Sequence, residues 1–130
     1  MVYIIDDDQV IILLHKLQVK KQLSGEQIHV FINPKAALES IISLEGEGQK
    51  ILIFLDINMP EMSGWEFLDL LKKRENGLNI KVVIVTSSLS KSDKDKSSEF
   101  NMVIDYWEKP MVAHQLIELK KQLGDWLNEN

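Results

Sequence analysis

The chain contains no cysteine. Disulfides, thiolate metal sites and cysteine nucleophiles are thereby excluded, and the composition fits a reducing compartment. It also lacks any long apolar run. The longest, Val10 to Leu14 and Ile51 to Leu55, fall far short of the roughly 20 residues that cross a bilayer. No basic segment leads into a long apolar one at the N-terminus, so no signal peptide is read, and a cytoplasmic location with no membrane contact is expected. Positive charge is in the minority, with 15 Lys and Arg against 20 Asp and Glu and a formal net charge of −5. That balance argues against a nucleic-acid surface. The densest basic group, Lys91, Lys94 and Lys96, is interleaved with Asp93 and Asp95 and is most simply a solvated helix face. His15, His29 and His114 lack metal-ligand spacing and are read as ordinary surface or core residues.

What remains is an ordinary globular composition, 45% apolar and 27% charged over 130 residues, with room for one domain spanning 1–130. Short β-type runs alternate with helical stretches. Val2 to Ile5 reads as a strand. From Gln9 to about Gln22, apolar Val10, Leu13, Leu14 and Leu17 recur at helical spacing and predict a core-facing stripe. Gln27 to Ile32 is a second strand, ended by Asn33-Pro34, a good N-cap with Pro at the first helical position. The helix after it carries Ala37, Leu38, Ile41 and Ile42 on one face. Ile51 to Leu55 is apolar throughout, as in a central parallel strand covered on both faces. A helix beyond Gly64 carries Trp65, Leu68 and Leu71. Ile80 to Val85 is the fourth strand, and Ser90 to about Phe100 a polar, weakly amphipathic helix. Val103 to Trp107 is the fifth strand. Val112 to about Asn128 is the fifth helix, with Leu116, Leu119, Leu123, Trp126 and Leu127 in register. Trp65 and Trp126 are read as core. Five such units make a doubly wound α/β fold with a parallel sheet.

In that architecture the site lies beyond the carboxyl ends of the strands. The residues there are Asp6, Asp7 and Asp8 after the first strand, Asp56 after the third, Thr86 after the fourth and Lys109 beyond the fifth. Each has a plain structural explanation. An Asp before a helix is often an N-cap, the preferred reading for Asp8. Taken alone, Asp6 and Asp7 fit capping or function equally. Thr86 could close a turn, Asn58 to Gly64 could be loop chemistry, and Lys109-Pro110 a rigid turn. Together these explanations fare worse, because Asp6, Asp7 and Asp56 would converge. Two like charges about 4 Å apart repel by roughly 4 kcal/mol at an effective dielectric of about 20. The cluster must take up protons or recruit cations. Carboxylates and a backbone carbonyl suit Mg²⁺. With Mg²⁺ and Lys109 the charge sums to about zero, and an incoming phosphoryl group becomes tolerable.

Four segments in order resemble the receiver domain of two-component response regulators, in its single-domain, chemotaxis-regulator-like form. They are Ile4-Ile5-Asp6-Asp7-Asp8, Leu55-Asp56-Ile57-Asn58-Met59-Pro60-Glu61-Met62-Ser63-Gly64, Val85-Thr86-Ser87 and Tyr106-Trp107-Glu108-Lys109-Pro110. The second is the most specific. The resemblance implies a flavodoxin-like sheet with strand order 2-1-3-4-5 and five helices on its two faces. It implies phosphorelay signalling, with Mg²⁺-dependent transfer from a sensor histidine kinase or histidine phosphotransfer protein onto Asp56. By that resemblance Asp56 is the nucleophile and Asp7 a direct Mg²⁺ ligand. Asp6 acts mainly through metal-bound water, and the Asn58 carbonyl completes the protein's coordination. Thr86 hydrogen-bonds a phosphoryl oxygen, Lys109 ion-pairs with another, and Tyr106 turns inward when Thr86 moves. Asn58 and Ser88 border the line of water attack and tune the phosphate lifetime. A cis Lys109–Pro110 peptide is also expected, swinging Lys109 back over the sheet.

The sequence departs from the family at Asp105, where a small residue is common, and at bulky Trp107. Both are assigned to the face of the fourth helix, fifth strand and fifth helix, which the family uses to bind a downstream protein. No output domain is read after the fifth helix. The expected role is a phosphoacceptor switch with only its own phosphorylation and dephosphorylation chemistry, not an enzyme. Two rivals are a haloacid-dehalogenase-type phosphatase, from the spacing of Asp6 and Asp8, and a receiver-like scaffold that takes no phosphate. The phosphatase lacks its expected Thr, since position 10 is Val. The intact Asp6, Asp7, Asp56, Thr86 and Lys109 set opposes the scaffold.

Overall fold

The computed structural model describes residues 1–74, 78–87 and 90–127. Its elements are β1 (Val2–Ile5), α1 (Gln9–Gln22), β2 (Ile28–Phe31), α2 (Pro34–Ile42), β3 (Lys50–Leu55), α3 (Gly64–Lys72), β4 (Asn79–Thr86), α4 (Lys91–Ser97), β5 (Val103–Glu108) and α5 (Ala113–Leu123). A 3₁₀ turn, Gly124–Trp126, follows. The strands form one parallel sheet in the order β2-β1-β3-β4-β5.

Alternation along the central strands divides the interior into two cores. Tyr3, Ile5, Ile51, Ile53, Leu55, Val82 and Ile84 face α2 and α3, where Ala37, Ile41, Phe67, Leu68 and Leu71 meet them. Val2, Ile4, Leu52, Phe54, Val83 and Val85 face α1 and α5, meeting Ile12, Val19, Leu116, Leu119 and Leu123. Strands covered on both sides have no polar face, which is why β3 reads as an unbroken apolar run. No helix among the described residues is long and apolar enough to cross a membrane.

Three expectations are corrected. The stripe Val10, Leu13, Leu14 and Leu17 faces solvent, each residue 45–66% exposed, while Ile12, His15 and Val19 face the core. Both rows have helical spacing, and packing in the second core takes up the row of Ile12 and Val19. The fifth helix stops at Leu123, because Gly124 adopts a positive φ of 54° that ends the α-helical run. Trp126 lies in the 3₁₀ turn and is half-buried, as is Trp65, and Asn128 lies outside the described residues. Trp107 is not on the outer signalling face. It is buried in the second core, its ring 5.7 Å from that of Phe54.

Helix α4 is the least anchored. It is capped by the Ser90 hydroxyl, which accepts from the Asp93 N–H at 3.1 Å, and Ser97 is its one buried residue. Its lysines remain solvated, but Lys94 and Lys96 set their ammonium groups 5.1 and 5.3 Å from the ring centres of Tyr106 and Trp65.

Candidate functional site

Parallel pairing brings the ends of β1, β3, β4 and β5 to one edge of the sheet. There Asp6 and Asp56 are each 2% exposed and Thr86 is fully buried, while Asp7 is open to solvent. One carboxylate oxygen from each of Asp6, Asp7 and Asp56 lies within 4.8 Å of the others. Asp8 does cap α1, accepting from the N–H groups of Val10 and Ile11 at 2.9 and 3.3 Å. The Asp6 carboxylate accepts from the Asp8 N–H at 2.9 Å, and that of Asp56 from the Asn58 N–H at 3.1 Å.

Lys109 follows β5 directly. Its backbone N–H donates to the Thr86 carbonyl at 2.8 Å, and the Lys109–Pro110 peptide is cis, as the sequence reading expected. The ammonium lies 2.7 Å from Asp6 Oδ2 and 3.2 Å from Asp56 Oδ2. Burial pushes both carboxyls above the usual aspartate range, and the single ammonium between them does not fully reverse this. Burial also acts against the Lys109 charge, but the ion pairs with Asp6 and Asp56 outweigh it and hold the ammonium above its ordinary value. Three carboxylates and one ammonium leave two negative charges. Hard oxygen donors gathered around a charge deficit of that size fit Mg²⁺.

The loop after Asp56 explains its own sequence. A Cβ on Gly64 would sit 2.7 Å from Ile57 Cα and 2.8 Å from the Asp56 carbonyl oxygen, so only glycine allows the start of α3 to pass behind Asp56. Met59 and Met62 are buried beneath the loop. An open cleft of about 260 Å³, bordered by Asp7, Asn33, Met59 and Glu61, adjoins the acidic group.

The amide of Asn58 donates from Nδ2 to Thr86 Oγ1 at 3.1 Å. This side chain is therefore engaged with the β4 hydroxyl rather than free beside Asp56. Ser88 lies outside the described residues. Tyr106 is half-buried at the edge of the first core, beneath the Lys94 ammonium. The two departures from the family pattern belong together: the Asp105 carboxylate accepts from the Trp107 indole N–H at 3.0 Å and from the Tyr106 backbone N–H at 2.9 Å. Trp107 can be buried because its N–H has this partner. Sequence reasoning missed that pair, and it missed His15, whose place in the row Ile12, His15, Val19 was the available signal.

Residues 2–121 match the response regulator receiver domain. The chain belongs to that family. It is 34% identical over 95 residues to the polar-differentiation response regulator DivK of Brucella ovis, covering 72% of this chain and 76% of that one. It is 31% identical over 99 residues to FilR2 of Methanothrix harundinacea, described as a probable methanogenesis regulatory protein; that match covers 74% of this chain and 63% of the relative's length. Among solved structures, a two-component response regulator from Cytophaga hutchinsonii superposes with a TM-score of 0.81 at 31% identity, over 98% of this chain and 96% of the other. A CheY-like receiver from Methanospirillum hungatei gives 0.75 at 25%, covering 98% and 94%. This receiver thus serves two-component signalling through the fold and sheet order its sequence implied.

Proposed function

We propose that the receiver accepts a phosphoryl group on Asp56 from a phosphohistidine on a sensor kinase or phosphotransfer protein, in a Mg²⁺-dependent reaction. The observation that carries this reading is the Asp6–Asp7–Asp56 group, with Asp6 and Asp56 buried and bridged by a single lysine and Asp7 open to solvent beside them. An Asp56 oxygen attacks phosphorus as the bond to the donor's imidazole nitrogen breaks, and the electron pair leaves with that nitrogen. Asp6, Asp7, Asp56 and the Asn58 carbonyl would hold the metal, which supplies charge neutralisation for the acidic group and the incoming phosphoryl oxygens. The Thr86 hydroxyl accepts from Asn58, so its own proton is free for a phosphoryl oxygen. Lys109 is charged and within reach of Asp56, suited to a second one.

Output is assigned to the face of α4, β5 and α5. Helix α4, with one buried residue, is easily displaced when Thr86 and Tyr106 change place. The donor is assigned to the outer face of α1, whose apolar row starts at Val10, two residues past the cap at the rim of the site. The chain acts as a switch and not as a phosphatase working through Asp6, since that carboxylate is already held by Lys109 and the Asp8 N–H. Incubation with acetyl phosphate and Mg²⁺, followed by intact mass measurement, tests this. One phosphoryl group should be gained by the wild type and none by Asp56→Asn. Labelling of that variant to wild-type extent, or donor turnover abolished by Asp6→Asn alone, would refute it.

A further inference from the structure

Helix α1 turns one polar side chain inward. His15 is 1% exposed, one turn from Ile12 and one from Val19 on the core-facing row. Its Nε2 accepts from the backbone N–H of Met111 at 3.1 Å, a buried hydrogen bond between residues 96 positions apart. An accepting Nε2 carries no proton, so the ring is neutral and protonated on Nδ1. Burial, reinforced by the nearby Lys109 charge, holds its pKa down to about 4. The ring therefore remains an acceptor throughout the neutral range.

Met111 lies two residues beyond Lys109, and Pro110 between them has no N–H to offer. The segment carrying the lysine thus has one backbone anchor on each side. The Lys109 N–H is held by the Thr86 carbonyl, and the Met111 N–H is held by His15. The Met111 side chain is itself buried. Lys109 must place one ammonium between two carboxylates at 2.7 and 3.2 Å, so a small shift of its backbone would break that bridge.

We infer that His15 is a positioning residue for phosphoryl acceptance: by accepting from the Met111 N–H it fixes the Lys109–Met111 segment so that the ammonium reaches both Asp6 and Asp56. This rests on the reading of Asp56 as acceptor. Loss of the imidazole acceptor leaves the Met111 N–H buried without a partner and releases the segment on one side.

The test compares phosphorylation rates with acetyl phosphate at saturating Mg²⁺ for wild type, His15→Leu, His15→Gln, Lys109→Met and the His15→Leu/Lys109→Met double variant, with Mg²⁺ affinity measured for each. His15→Leu should slow phosphorylation on the order of tenfold or more, as misplacement of a reacting group does, without weakening Mg²⁺ binding. His15→Gln, whose amide oxygen restores an acceptor, should recover most of the rate. The double variant should react no more slowly than Lys109→Met, because His15 acts only through the lysine. If His15→Leu does not fold, His15→Asn takes its place, its shorter amide failing to reach Met111 while Gln does. A wild-type rate in the Leu or Asn variant, or a double variant slowed by the full additional factor, overturns the inference. Failure of the wild type to be labelled on Asp56 overturns the functional reading instead.

Discussion

Replacing Lys109 by methionine removes a charge while keeping a long apolar stem, and the site geometry gives the expected effect. At an effective dielectric of about 20, the ammonium attracts Asp6 across 2.7 Å by about 6 kcal/mol and Asp56 across 3.2 Å by about 5 kcal/mol. Two carboxylates no more than 4.8 Å apart repel by at least about 3.5 kcal/mol on the same scale. The lysine is thus what makes two almost inaccessible carboxylates tolerable in the absence of metal. These gross energies are reduced by relaxation and by proton uptake, for which both carboxyls are already predisposed. Breaking a buried ion pair by removing one partner costs about 3–5 kcal/mol in comparable cases, and that is the loss of unfolding free energy expected in metal-free buffer at neutral pH. Mg²⁺ should narrow the gap, since it returns counter-charge and no longer competes with an ammonium for Asp6 and Asp56. A ligand at a hundred times its Kd adds about 2.7 kcal/mol of stability, so tighter binding by the variant appears directly in its stability. Urea unfolding followed by circular dichroism, with and without saturating Mg²⁺, measures both effects. A metal-free difference below about 1 kcal/mol, or a difference unchanged by Mg²⁺, would show that the ammonium does not balance these carboxylates.

Three further outcomes follow from other parts of the molecule. The native pKa of His15, about 4 against 6.5 unfolded, means that its contribution is complete above pH 6.5 and is lost as pH falls toward 4. By about 1.4 kcal/mol per unit that loss is roughly 3 kcal/mol, so the stability difference between wild type and His15→Gln should change over that window; a pH-independent difference would contradict the buried neutral ring. Gly64→Ala should cost about 1–3 kcal/mol and slow phosphorylation of Asp56, because the new methyl meets backbone at 2.7 and 2.8 Å; equal stability by urea titration would mean that the loop moves aside freely. Leu13→Asp with Leu17→Asp should leave stability within about 0.5 kcal/mol per site and acetyl phosphate labelling intact, while transfer from a phosphorylated histidine kinase that labels the wild type should fail; unimpaired transfer would remove α1 as the donor surface.

What could be read from sequence followed from how local each signal is. The acid after the apolar run Ile51 to Leu55 is placed at the carboxyl edge of the sheet, because such a run must be a central strand. Asn33 and Asp8 supply the side-chain oxygens that cap their helices, with Pro34 at the first helical position after Asn33. The failures concern choices made by tertiary packing. In α1, apolar residues occupy much of the circumference, so spacing alone admits both the row of Val10, Leu13, Leu14 and Leu17 and the row of Ile12, His15 and Val19. A histidine in the second row made the wrong one look more apolar. Trp107 was assigned to the face of the fourth helix, fifth strand and fifth helix as a bulky departure from the family pattern, whereas Asp105 two residues earlier accepts from its N–H and lets the ring be buried in the second core. The end of α5 depended on Gly124 adopting a positive φ, a conformation glycine permits but does not require.

The costs in this structure are gathered where the proposed chemistry is. Asp6 and Asp56 are held in surroundings that favour their neutral forms, so neutral isosteres would relieve the native state at neutral pH. Glycine at 64 gives up side-chain packing to let backbone pass behind Asp56. Helix α4 covers the sheet with a single buried serine where α3 buries Phe67, Leu68 and Leu71. Stability comes instead from β1, β3 and β4, whose side chains fill both cores. A chain selected for stability alone has no reason to place charge deficit, forced glycine and weak helix at one edge of its sheet. A chain that must bind a cation, receive a dianionic group and transmit its arrival through a movable helix does.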